Sequence, residues 1–218
     1  MFIGHYALAF AAKKAAPRIS LGTLFLAVQL ADLVWPALVL LGVERFEIRP
    51  GITAFTPLDF IHYPFSHSLV ALALWGAALG VAYMVVRTAD VRAALLLAAL
   101  VVSHWVLDFV THRPDMPLTF ADEPRVGLGL WNSIPATLAV EGALFAACLW
   151  AYARATRAID RIGKWALWSL VAFLVIVYAA NTAGPPPPSV AAVAWSANAL
   201  WLLVAWGYWI DRHRRMAP

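Results

Sequence analysis

Six apolar runs divide the chain, at roughly 21–43, 67–86, 92–110, 132–153, 164–182 and 189–209. Each is about 20 residues long, which at a helical rise of about 1.5 Å per residue crosses the hydrocarbon layer of a bilayer. Backbone in lipid must satisfy its own N–H and C=O groups, and helices do this within a single segment. The expected fold class is therefore all-α: a polytopic helical membrane protein of about six transmembrane helices, with residues 1–218 forming one integral membrane domain. Composition agrees. The chain is 63% hydrophobic and 13% charged, whereas a soluble domain is about half apolar and about a quarter charged.

The basic residues set an orientation. With the N-terminus in the cytoplasm, twelve of the sixteen lysines and arginines fall on inner segments, and only Arg45, Arg49, Arg113 and Arg125 fall on outer ones. Short loops with that bias follow the positive-inside rule and place both termini in the cytoplasm. The formal charge of +4 thus belongs to topology, and no nucleic-acid partner is expected. Cys148 is the single cysteine, so no internal disulfide can form. The opening MFIGHYALAFAAKK places its lysines after the apolar stretch and does not read as a cleavable signal. Asn132 and Ser133 are candidate caps for the fourth span, with Pro135 in its first turn. The run GPPPP at 184–188 forms a stiff turn between the last two spans.

Within this apolar frame the polar residues stand out. SHWVLDFVTH, residues 103–112, carries His104, Asp108 and His112 at intervals of four, one stripe of a helix. His104 lies about 9 Å below the outer end of its span, and Asp108 about 3 Å. His67 opens the second span, five residues after His62. Glu141 lies about 14 Å deep, and Asp32 sits near the middle of the first span. These groups gather in the outer half of the bundle. A carboxylate at mid-membrane costs about 2.5 kcal/mol or more, so several of them require a common partner. A divalent cation neutralises two carboxylates, and neutral imidazoles complete its shell without adding charge. His5 joins if FIGHYALAFAA is a short N-terminal half-helix that dips into the bundle from the inner side. It would then reach about 12 Å deep, and Asp32 about 16 Å from the same side.

Plainer readings apply to individual residues. An isolated intramembrane histidine more often ties two helices together than binds an ion. His112 and Asp115 read as the start of an exposed loop, and Asp59, Asp122 and Glu123 as loop charges. The tryptophans and tyrosines read mainly as an interfacial belt. Ser66 beside His67 suggests a nucleophile and base, but adjacent residues on a helix point apart. The combined set of His62, His67, His104, Asp108 and Asp32 at one membrane level is harder to explain as coincidence.

At these residues the chain resembles the predicted inner-membrane metal-dependent hydrolases of bacteria. The resemblance rests on GHYALAF with His5, LADLVWP with Asp32, HYPFSHSL with His62 and His67, and SHWVLDFVT with His104, Asp108 and Thr111, in order over residues 4–111. Val34 and Trp35 stand where that pattern has a further aspartate and a histidine, and Tyr63-Pro64 replace an Arg-Gly pair. The resemblance implies a bacterial inner-membrane location and a metal-assisted hydrolase of a small lipid-soluble substrate, a phosphoester or acyl compound, drawn from the surrounding membrane lipid. His67, His104 and Asp108 would contact the ion, with Asp32, His62 and His5 as further ligands or supports. Glu141 is the candidate general base. Zinc is the favoured metal because histidines outnumber carboxylates, with manganese or iron as alternatives. Two other classes remain open: a transporter or proton relay through Asp32, His104, Asp108 and Glu141, and a non-enzymatic membrane scaffold.

Overall fold

A computed structural model of the protein describes residues 1–87, 90–121 and 123–217. The fold is all-α. Among the described residues, five helices are long and apolar enough to cross a membrane: Leu69–Val86 (α5), Val91–Thr111 (α6), Ile134–Ala155 (α7), Arg161–Ala183 (α8) and the run Val190–Arg212. That last run comprises α9 (Val190–Ala197) and α10 (Leu200–Arg212). The sixth expected span is a bent pair, Leu21–Val28 (α2) and Leu30–Leu40 (α3), which meet at 55°. All six apolar runs thus form helix at the places the sequence gives them.

Local chemistry starts most of these helices. Ser20, Ser68, Asp90, Ser133, Asp160 and Ser189 each accept a hydrogen bond from a first-turn amide of the helix that follows, as N-cap residues do. Pro135 stands in the first turn of α7, and α8 ends at Gly184, where the proline run begins. Helices α5 and α6 approach closely because Gly76 and Gly80 face Ala98 and Ala94. A Cβ on Gly76 would lie 2.9 Å from the Ala98 carbonyl oxygen, the small-residue contact common between membrane helices.

The half-helix forms and penetrates the core. Ile3–Ala15 (α1) is buried along most of its length and packs chiefly against α7. Lys13 anchors its C-terminal end, donating to the Ile19 carbonyl at 2.8 Å and pairing with Asp211 at 2.7 Å. The N-terminal end lies inside the bundle and has no side-chain cap of its own.

Lys13, Arg87, Arg212 and the chain's C-terminal segment share one end of the bundle. There Thr156–Ala158 (β5) pairs with Arg214–Met216 (β6). His213 Nδ1 lies 2.7 Å from Asp160, and this ring, together with the Gly163 amide, holds the exposed Asp160 carboxyl below the usual range. That clasp is complete above the ordinary aspartate pKa of about 3.9 and loosens only as pH falls through the lowered value.

The opposite end carries the connection 44–66. It is a hairpin of Arg45–Ile48 (β1) and Leu58–His62 (β2), followed by the single turn Pro64–His67 (α4). Several residues that read as loop charges are buried here. Asp59, His112 and Asp115 are each under 5% exposed. Arg113 pairs with both Asp59 and Asp115, and Arg49 reaches Asp59 at 2.8 Å. His112 Nδ1 lies 2.9 Å from Asp115, whose side chain also accepts from the Tyr63 hydroxyl. The expectation of an exposed loop at His112 and Asp115 fails because the hairpin folds over it and brings complementary charges. Glu123 remains a loop charge, 80% exposed, and Asp122 lies outside the described residues.

Candidate metal centre

Helix α6 supplies the axis of the site. His104 and Asp108 stand one turn apart on its buried face, with His104 Nε2 3.1 Å from Asp108 Oδ2. Helix α1 brings His5 from the other side. Its ring lies flat on His104, centroids 3.7 Å apart at 1°, and its Nε2 is 3.1 Å from Asp108 Oδ1. The Met1 nitrogen also contacts Asp108 Oδ1. Asp32 enters from the first turn of α3, with Oδ1 3.4 Å from His67 Nε2 and 3.8 Å from His104 Nε2. Among the described residues two ligand groups result, His5–His104–Asp108 and Asp32–His67–His104, each with its donor atoms within 4.8 Å of one another. They share His104.

Hydrogen bonds outside the cluster fix how the two central imidazoles face it. His104 Nδ1 lies 2.7 Å from the Val28 carbonyl. A carbonyl only accepts, so Nδ1 carries the proton and the neutral ring presents a lone pair at Nε2. That carbonyl is free because the helix breaks at Gln29, between α2 and α3. His67 Nδ1 lies 2.7 Å from Ser66 Oγ, and Ser66 Oγ donates to Glu44 Oε2 at 2.6 Å. With its only proton committed to Glu44, Ser66 accepts from His67, which leaves the Nε2 of that ring also a lone pair. Both lone pairs thus face Asp32 Oδ1, and His104 joins this group to Asp108. Electron-rich atoms this close are stable together only around positive charge; the Met1 amino group supplies it beside Asp108, and a metal ion could supply it at Asp32, His67 and His104.

Ser66 and His67 do meet, contrary to the expectation that neighbours on a helix point apart. The reason is local: α4 is one turn long, and Ser68 is already extended. Ser66 is fully buried and binds Glu44, so it acts as a hydrogen-bonding support. Glu44 was not foreseen as part of the site. It accepts from the amides of Phe65 and Ser66 at 2.8 Å each as well as from the Ser66 hydroxyl. In sequence nothing separates it from Glu47 three residues on, which instead makes an exposed pair with Arg49. Supports of this kind typically change metal affinity about 10–100-fold. Ser66→Ala is therefore expected to weaken metal binding by about that factor, measured by chelator competition, with Ser66→Thr close to the parent.

The remaining sequence candidates separate. His62 stands on β2 opposite Arg45, its ring 6.1 Å from that of Phe65, and belongs to neither group. Glu141 is buried, and its Oε2 accepts from the Phe2 and Gly4 amides at 2.9 and 3.3 Å. It therefore caps the start of α1 within the bundle, while Oε1 has no hydrogen-bond partner among the described residues.

A cavity of about 710 Å³ leads to the cluster. Asp32, His67 and Asp108 line its polar end, and Trp35, Phe60 and Trp131 form part of its wall. Glu141 is not among the lining residues. Asp32 is the most open of the cluster, with 26% of its side chain accessible, against 5% or less for the other four.

Fold and site together describe an all-α protein with membrane-length helices around a buried histidine–aspartate cluster that could hold a metal ion. Comparisons with protein-family models, curated proteins and solved structures find no match to this chain.

Proposed function

We propose that this protein is a membrane-embedded, metal-dependent hydrolase, of the kind its motifs resemble among the inner-membrane proteins of bacteria. One observation carries the reading. His67 and His104, from different helices, both have Nδ1 held by a partner outside the cluster, and both turn Nε2 toward the same Asp32 oxygen. His67, His104, Asp32 and Asp108 would hold the ion, with zinc favoured for its affinity for imidazole. The ion would supply Lewis acidity, polarising a scissile group and lowering the pKa of water toward about 7.

The chain's own residues do the rest. Val28 and the Ser66–Glu44 pair fix the two rings, His5 packs on His104 and steadies Asp108, and Glu141 holds the N-terminal end of α1 so that His5 arrives in register. Asp32 would hold the ion through Oδ1, which faces both rings, leaving its second oxygen to take a proton from attacking water in place of Glu141, which does not line the cavity. With the basic end in the cytoplasm, the cavity opens toward the external leaflet.

The relay reading is less well supported. Between His5 and Lys13 on α1, Phe10 packs against Phe25, Phe145 and Tyr152, with ring centroids 5.0–6.1 Å apart. This aromatic layer separates the cluster from the basic end.

The test is hydrolysis of a panel of amphiphilic esters and phosphoesters by purified protein before and after chelation. Activity should vanish with the metal and return on adding zinc or manganese. Activity indifferent to chelation would rule the proposal out.

A further inference from the structure

A second cavity, about 550 Å³ in volume, opens at the basic end of the bundle between α2, α5 and α10. It shares no lining residue with the cavity that leads to the metal cluster. Glycine fixes one side of it, because α2 and α10 touch there: a Cβ on Gly207 would lie 2.9 Å from the Gly22 Cα, and one on Gly22 would strike the Tyr208 ring. On the other side Leu79, Ala82 and Val86 form an apolar wall, brought to one face of α5 by their spacing. From Val86 to Leu79 the wall descends about 10 Å along the helix, away from the basic end.

The polar lining is rich in donors. Arg87 caps α5, Arg212 stands in the last turn of α10, and both reach the cavity. Neither guanidinium has an ion-pair or side-chain hydrogen-bond partner among the described residues. Asp211, the carboxylate of the lining, is neutralised by Lys13 at 2.7 Å, so the two arginine charges are in surplus. Ser20 Oγ lies 2.8 Å from Thr23 Oγ1, which lies 2.9 Å from the Tyr208 hydroxyl. Three hydroxyls joined by two hydrogen bonds leave one O–H free to donate into the cavity they line. Guanidinium charge with a hydroxyl donor is the chemistry that holds a phosphate.

The place of the cavity narrows the ligand. Its charged end lies at the level of the cytoplasmic headgroups by the positive-inside rule, and its wall runs from there toward the acyl chains. Basic pockets between helices on this side suit anionic lipid. We propose that the cavity binds one anionic phospholipid of the cytoplasmic leaflet, its phosphate at Arg87 and Arg212 and an acyl chain along Leu79, Ala82 and Val86. The site stands apart from the metal cluster and does not depend on the hydrolase reading.

The test titrates the full chain, in a maltoside detergent, with dilauroyl phosphatidylglycerol and with dilauroyl phosphatidylcholine. Native mass spectrometry counts the lipid retained. One phosphatidylglycerol should bind about thirtyfold more tightly than phosphatidylcholine, about fivefold for each arginine. The double variant Arg87→Gln/Arg212→Gln should lose that preference with metal content unchanged. Ala82→Trp, which fills the apolar wall, should abolish phosphatidylglycerol retention. Arg161→Gln, at an exposed residue beginning α8 on the same end and outside the cavity, should leave binding as in the parent. All four substituted residues are exposed, and melting temperatures close to the parent check that the variants fold. Equal binding of the two lipids, binding that survives in the double variant or in Ala82→Trp, or an equal loss in Arg161→Gln overturns the assignment. Displacement of the lipid by an equal concentration of inorganic phosphate marks a site for soluble phosphate and also overturns it.

Discussion

Protein carrying His104→Ala should hold about a tenth or less of the metal bound by the parent, which should carry close to one ion per chain. His104 is the shared member of both ligand groups, and its Nε2 lies between Asp32 at 3.8 Å and Asp108 at 3.1 Å. Removing the ring takes away a ligand and leaves the two carboxylates facing each other without an imidazole between them. It also frees the Val28 carbonyl at the break between α2 and α3. An unpartnered buried carbonyl costs about 1–3 kcal/mol, so some loss of stability is expected alongside the loss of metal. His67→Ala separates the two effects, since its ring holds no helix carbonyl: metal should fall as steeply, with less change in melting. Elemental analysis and thermal melting of the two variants provide both readouts.

The second large effect is expected at Glu141. A helix that begins in the middle of a bundle exposes its first amides to an environment without water, and each needs an acceptor. Glu141 supplies one to Phe2 and Gly4, and its negative charge also suits the positive end of the helix dipole. Glu141→Leu leaves the buried Gly4 amide and the part-buried Phe2 amide unpaired, at up to about 1–3 kcal/mol each. For a chain of this size that corresponds to a fall in melting temperature of roughly 5–20 °C. Glu141→Gln keeps an acceptor oxygen and should lose less than half as much. If Glu141→Gln instead melts like the parent and abolishes hydrolysis, Glu141 is the general base that its depth in the sequence suggests, and its capping role is secondary.

These two residues show what can be read from a sequence of this kind. The spans were legible because apolar length and N-capping residues are local signals. The His104–Asp108 pair was legible because a spacing of four on a helix fixes a shared face. His5 could be placed from the length of its half-helix, counted back from Lys13. The break at Gln29 was not legible, since the apolar run continues through it and only tertiary packing bends it. Glu44 could not be told from Glu47 because the hairpin turns one inward and the other outward. Asp59, His112 and Asp115 looked like solvent-facing charges, but their burial depends on Arg49 and Arg113 arriving from different segments. Glu141 was recognised as anomalous in lipid, and its partner was missed because a buried helix start is created by the fold.

X-ray absorption of metal-loaded protein tests the central claim most directly. The account expects imidazole nitrogens from at least two histidines together with carboxylate oxygens around a single divalent ion, at about 2.0–2.2 Å if the ion is zinc, and loss of one imidazole contribution in His67→Ala. An ion bound without histidine, or no ion retained after loading and dialysis, would contradict it.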